Sequence, residues 1–178
     1  KLQLTYADNP LDGDEFRFDG SYFSIAAGNW VASIDQGDRW WGPGWDGSLI
    51  FSNNARPIPA LSLTRISPDP FEIKWLKWIG PWTFNTFMGQ LDNDEGDRDG
   101  SDALLFGMRI DFSPFGWKNL DIGLNRAAQW AGNGRPFGFA TFKKLLLGED
   151  NAVPGSETTK LNEPGNQLAG VDWRLKIP

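Results

Sequence analysis

A chain of 178 residues with a net charge of −6, no cysteine and no histidine has room for one ordinary domain and excludes several chemistries at once. Disulfides, thiolate or histidine-ligated metal sites and the Ser-His-Asp arrangement are absent, and an acidic chain lacks the basic footprint that nucleic acid requires. The 21 glycines and 12 prolines disfavour helices, while aromatic residues at 14 % favour strands, so the composition predicts an all-β protein with many turns.

The first residues, Lys1 to Tyr6, and then Glu15 to Ala27 alternate apolar and polar side chains, which predicts strands. Lys1 is followed at once by strand-like sequence, so the chain reads as a mature or truncated product. Gly28-Asn29 suits a tight turn into a strand from Trp30 to Asp38. The next segment, RWWGPGWDGSLIFSNNARP from Arg39 to Pro57, holds three of the ten tryptophans around a Gly-Pro-Gly corner. Within it Asp46 to Asn54 reads as a shorter strand that Pro57 and Pro59 end, and Leu61 to Ser67 resumes the extended pattern.

After the turn at Ser67-Pro68-Asp69-Pro70, Phe71, Ile73 and Trp75 alternate with charged residues. The register slips near Lys77, which suggests a bulge, and Trp82, Phe84, Thr86 and Met88 continue on even positions. Asp92 to Asp102 is an acidic loop whose glycine spacing does not fit a calcium-binding loop. The cleanest strand places Leu104, Phe106, Met108, Ile110 and Phe112 against Arg109 and Asp111, and another runs from Leu120 toward Trp130. Phe139, Phe142, Leu145 and Leu146 recur at helical spacing, with Gly148 as a stop, predicting a short helix over the opening of the sheet. Val171 to Ile177 then alternates to the end of the chain.

Strands whose polar side carries Asp with Arg and whose other side is nearly pure Phe, Leu, Trp and Ile fit a barrel with lipid outside and a wet lumen inside. Several reach the ~9 to 11 residues that cross a bilayer when tilted. Trp75, Trp82, Trp117 and Trp130 are placed for interfacial girdles. Short turns at Ser67 to Pro70 and Ser113 to Lys118 alternate with long connections, as in outer-membrane barrels. The tight Gly28-Asn29 turn is the exception, because it falls on the external side. The expected fold is therefore an antiparallel transmembrane β-barrel of the outer-membrane type, in part, with about eight or nine strands and a short helix in a long loop. A soluble aromatic-rich β-domain is the competing architecture.

Four segments carry a resemblance to the Wzi family of outer-membrane capsule-assembly proteins: Arg39 to Pro57, LFGMRIDFSP from Leu105 to Pro114, NRAAQWAGNGRPF from Asn125 to Phe137, and NQLAGVDWRLK from Asn166 to Lys176. The resemblance implies a large barrel of about eighteen strands that binds capsular polysaccharide like a lectin at the cell surface of a Gram-negative bacterium. This chain, with half that number of strand candidates, resembles a middle portion. The implied partners are capsular or exopolysaccharide and outer-membrane lipid, with no nucleic acid, no cofactor and no catalytic set.

For sugar binding, aromatic faces stack on rings while amides and charges meet hydroxyls and carboxylates. Trp40, Trp41, Trp45, Asp46, Asn53, Asn54 and Arg56 have that chemistry, and Arg126, Arg135 and Lys143 could meet an acidic polymer. The competing readings are a packed tryptophan corner, an Asx-type turn at Asn53-Asn54, and ordinary ion pairs. Counting crossings with Asp46 to Asn54 as a strand puts the tryptophans at the periplasmic end and Asn53 to Pro57 at the outer end, which favours Asn53, Asn54 and Arg56. Carboxylate pairs such as Asp35 with Asp38 or Asp46 are ordinary in an acidic chain and assign no hydrolysis. The functional alternatives are a porin-like passive channel and a soluble carbohydrate-active β-domain.

Overall fold

The computed structural model describes residues 1–10, 14–91, 103–132, 137–148 and 165–177. A small ribbon pairs β1 (Thr5–Tyr6) with β2 (Phe16–Arg17). The remaining strands form one antiparallel meander in chain order: β3 (Tyr22–Ala27), β4 (Trp30–Asp35), β5 (Ala60–Arg65), β6 (Trp82–Gln90), β7 (Leu104–Phe112), β8 (Leu120–Trp130) and β9 (Gln167–Leu175). β3 and β9 are the edges, and the sheet is not closed. β6 to β9 have nine to eleven residues each, the ~9 to 11 that a tilted crossing requires. The helix α1 spans Phe139–Leu147 and ends at Gly148, whose left-handed backbone caps it as the sequence predicts.

Register separates two chemically distinct faces. One row crosses the sheet as Phe23, Ile34, Leu61, Met88, Phe106, Ala128 and Gln167, and another as Ala27, Trp30, Arg65, Phe84, Ile110, Leu124 and Val171. The opposite face carries Ser24, Ser33, Ser62, Phe87, Gly107, Ala127 and Leu168, then Ala26, Val31, Thr64, Asn85, Arg109, Asn125 and Gly170. The first face is apolar and largely uncovered, with Leu61, Val171 and Trp173 all more than 60 % exposed. A continuous patch of that kind needs an apolar environment.

Three polar side chains on the apolar face, Thr86, Arg65 and Arg126, are hydrogen-bonded within the protein, whereas the buried Trp82 Nε1 has no hydrogen-bond partner among the described residues. Thr86 Oγ1 donates to the Gly107 carbonyl at 2.9 Å. Arg65 lies over the Trp82 ring and donates to the carbonyls of Ser67, Trp82 and Asp69. Arg126 donates to carbonyls of α1.

Several sequence expectations are corrected. Glu15 to Ala27 is not one strand, because a turn at Asp19-Gly20 separates β2 from β3. Phe71 to Lys77 is no bulged strand. Lys74–Ile79 forms a 3-10 helix, which projects Trp75 and Trp78, three residues apart, to the same side. Asp46 to Asn54 makes no strand pairing at all. Removing that false crossing moves Gly28-Asn29 to the same end as the other short connections, where the Asn29 side chain bonds Ser67 backbone in both directions. The supposed exception to loop alternation disappears.

The connections through residues 36–59, 91–103 and 131–166 all leave from the opposite end. Trp75, Trp78, Phe115 and Trp117 are exposed around the short-turn end, in keeping with an aromatic girdle. Trp130 is not a girdle residue. It is buried under α1, stacked on Phe137 and packed with Phe106 and Leu145. The helix lies on the apolar face and not over the opening of the sheet.

Candidate functional site

The connection between β4 and β5, residues 36–59, folds back across the polar face. Its hold on the sheet is written in glycines. A Cβ on Gly89 would meet Ile58 Cδ1 at 2.6 Å, one on Gly107 would meet Trp41 Cη2 at 2.8 Å, and one on Gly170 would meet Leu49 Cδ2 at 2.5 Å. Glycine inside a strand weakens it and marks close approach, and here each glycine is a footprint of the inbound loop.

Trp41 is the anchor. Buried at 5 % exposure, it packs edge-on against Phe51 and Phe87 at centroid distances of 4.8 and 5.7 Å. Its N–H donates to the Phe51 carbonyl at 3.1 Å and the Ser48 hydroxyl donates back to its carbonyl, which pinches residues 42–50 into a tip. Gly42, with φ of +144°, and Gly44, whose Cβ would meet the Gly47 carbonyl at 2.4 Å, shape that tip. The base of the loop is held by Arg39. Its guanidinium bonds Asp35 at 2.7 Å and lies 4.1 Å over the Phe87 ring. Burial lowers the pKa of Arg39, against the opposing pull of Asp35. Asp35 also accepts from Ser62, so its carboxylate ties the loop base to β5.

Beneath the tip lies a polar cavity of about 130 Å³, lined by Gly42, Pro43, Gly123 and five strand carboxylate or guanidinium residues. Arg109, 8 % exposed, reaches across Gly123 to bond both Asp111 and Asp172, and Asn125 bonds Arg109 and Asp172. Closer to the short-turn end, Arg174 and Lys176 share Asp121. Each carboxylate already has a cationic partner, so this cluster reads as internal ion pairing that fixes register across β7, β8 and β9.

The structure thus treats the candidate residues differently. Trp41 is inaccessible. Trp40, Trp45, Asp46, Asn53 and Asn54 are exposed on the same loop, Trp45 at 96 %. Trp40 Nε1 donates to the Gly44 carbonyl at 3.1 Å, which holds its ring beside the tip. Arg56 is tied to Asp19 and Asp14 at 3.2 and 3.3 Å. Arg126 lies on the opposite, apolar face and bonds α1, while Arg135 falls outside the described residues. The split that placed the tryptophans and Asn53 to Pro57 at opposite barrel ends is corrected: both belong to one connection rooted at the long-loop end, although its Gly42-Pro43 tip reaches down toward Asp121 and Arg174. Sequence reading missed Gly89, Gly107, Gly123 and Gly170. Their signal was glycine recurring on the polar parity of otherwise regular strands.

Comparison with known proteins agrees with this architecture. Residues 1–178 match the family model described as capsule assembly protein Wzi. A 55.8 kDa protein in the cps region of Klebsiella pneumoniae is 36 % identical over 166 residues, which are 93 % of this chain and 31 % of the relative. The solved structure of Wzi from Escherichia coli, described as a carbohydrate-binding β-barrel of the outer membrane involved in group 1 capsule assembly, matches with a TM-score of 0.72 at 32 % identity. That match covers 92 % of this chain and 32 % of the solved one. The chain spans about a third of the length of each relative, which accords with the unpaired edges of β3 and β9. An all-β, antiparallel wall with this match over its whole length belongs to the Wzi family of capsule assembly proteins.

Proposed function

We propose that this chain forms part of the wall and the inward loop of an outer-membrane β-barrel that binds capsular or exopolysaccharide without catalysis and holds it at the cell surface. The observation that carries the reading is the division of labour in residues 36–59. Trp41 anchors the loop on Phe87 and Gly107, while Trp40, Trp45, Asp46, Asn53 and Asn54 are left for a ligand. An exposed aromatic held on a rigid base loses little entropy on stacking against a sugar ring, and neighbouring amides and carboxylates suit hydroxyl groups. The apolar face, with its internally satisfied Thr86, Arg65 and Arg126, suits outer-membrane lipid as the second partner. A loop packed across the polar face favours binding over the open passage of a porin-like channel.

The test is affinity electrophoresis of the full-length protein in detergent through gels containing capsular polysaccharide or dextran. Selective retardation by the capsular polymer is expected, together with heat-modifiable migration. Equal mobility in both gels would overturn polysaccharide binding, and a protein that is folded and monodisperse without detergent would overturn the membrane reading.

A further inference from the structure

The helix α1 occupies an unusual place for a segment inside a long connection: it lies on the apolar side of the wall. Leu145 is fully buried against Phe106, Ala128 and Trp130, and Phe142 meets Phe106 edge-on with centroids 5.2 Å apart. These rows lie at the long-loop end of β7 and β8, which in outer-membrane barrels is the external end. Between the helix and the wall runs an apolar groove of about 280 Å³, lined by Leu61, Leu63, Thr86, Met88, Phe106 and Phe142.

The second observation is Arg126. It shares an outward row with Leu63, Thr86 and Met108, and an arginine facing lipid is costly near the bilayer midplane and less so toward its surface. Its guanidinium donates to the carbonyls of Leu145 and Leu146 and to Gln167 Oε1. The last carbonyls of a helix carry the negative end of its dipole and lack partners within it. Arginine and helix end therefore satisfy each other on the apolar face. The side of α1 turned away from the wall presents Phe139, 82 % exposed, and Leu147, 59 % exposed, on either side of the exposed Lys143, the mixture of apolar bodies and a cation that suits an interface.

We propose that α1 is an interfacial helix of the outer leaflet, with Phe139 and Leu147 among lipid acyl chains and an acyl chain seated in the groove beside Phe142. The proposal rests on the membrane-barrel reading. Its occupant follows from continuity, because the groove opens onto Leu61 and Leu63 of the same uncovered face that lipid would cover.

The experiment uses the full-length protein, freed of any other cysteine, with a bimane probe at Leu147→Cys, and separately at Phe139→Cys, in phosphatidylcholine vesicles. Val171→Cys reports the bare wall and Asn54→Cys the inward loop. Blue-shifted emission and quenching by doxyl-labelled lipid at 147 and 139, comparable to 171 and absent at 54, are expected. Iodide quenching without doxyl quenching at 147 and 139, while 171 responds to doxyl lipid, would overturn the helix placement. Loss of doxyl quenching at 171 as well would overturn the barrel reading itself.

Discussion

Arg109 holds Asp172 through two parallel hydrogen bonds, Nη1 to Oδ2 at 2.7 Å and Nη2 to Oδ1 at 2.9 Å, in space that Gly123 leaves empty. The pair links β7 to β9 across the whole width of β8. A Cβ on Gly123 would meet Arg109 Nη2 at 2.3 Å and Asp172 Oδ1 at 2.5 Å. Gly123→Ala is therefore expected to cost about 1–3 kcal/mol as an overpacked position. The lowered urea midpoint of the full-length protein in detergent, read by heat-modifiable migration, measures it.

Removing the two partners separately should have unequal consequences. Asp172→Asn leaves Arg109 with Asp111 and costs about 1.5–3 kcal/mol, the range for a hydrogen bond to a charged group. Arg109→Leu strands Asp111 and Asp172 together and is expected to cost about 3–5 kcal/mol. Unfolding midpoints should fall in that order, and an Asp172→Asn protein less stable than Arg109→Leu would contradict the assignment.

Trp41→Ala removes the anchor of residues 36–59 and should cost about 3–5 kcal/mol locally. The loop then leaves the polar face, so ion conductance through the full-length protein in planar bilayers is expected to rise. Gly107→Val should do the same by displacing the Trp41 ring from the other side, because its Cβ meets Phe87 and Trp41 within 3 Å.

Arg56 offers a contrast. Its side chain is 35 % exposed in its contacts with Asp19 and Asp14, so solvent screens the pairs and Arg56→Ala should cost no more than about 1 kcal/mol. That small difference should vanish in high salt. A large, salt-independent loss would mean that Arg56 supports the loop in some other way.

The alternation of β7 and β8 was fully legible, since Leu104 to Phe112 and Leu120 to Trp130 send their side chains to the apolar and polar faces on strict alternate positions. Residues 46–54 were misread for a physical reason. A loop packed on a sheet needs apolar residues where it touches, so Leu49, Ile50 and Phe51 mimic a strand without pairing. Residues 71–79 failed differently. Trp75 and Trp78 stand at 3-10 spacing between Pro70 and Pro81, but Ile73 and Trp75 also satisfy a period of two. Asn53 and Asn54 were candidates from their chemistry, and the structure leaves both exposed on the loop. Which tryptophan was anchor and which was display depended on Phe87 and Gly107, some 45 to 65 residues away, and local pattern cannot supply that.

The central claim is that the displayed part of residues 36–59 binds polysaccharide while its anchor only supports it. It is tested most directly by titrating fluorescently labelled capsular polysaccharide against the full-length protein and its Trp45→Ala/Asn54→Ala variant. Losing one stacked ring and one amide from an exposed tip should weaken binding by roughly tenfold or more, about 1.4 kcal/mol, with the urea midpoint unchanged. Unaltered affinity in a folded double variant would contradict it.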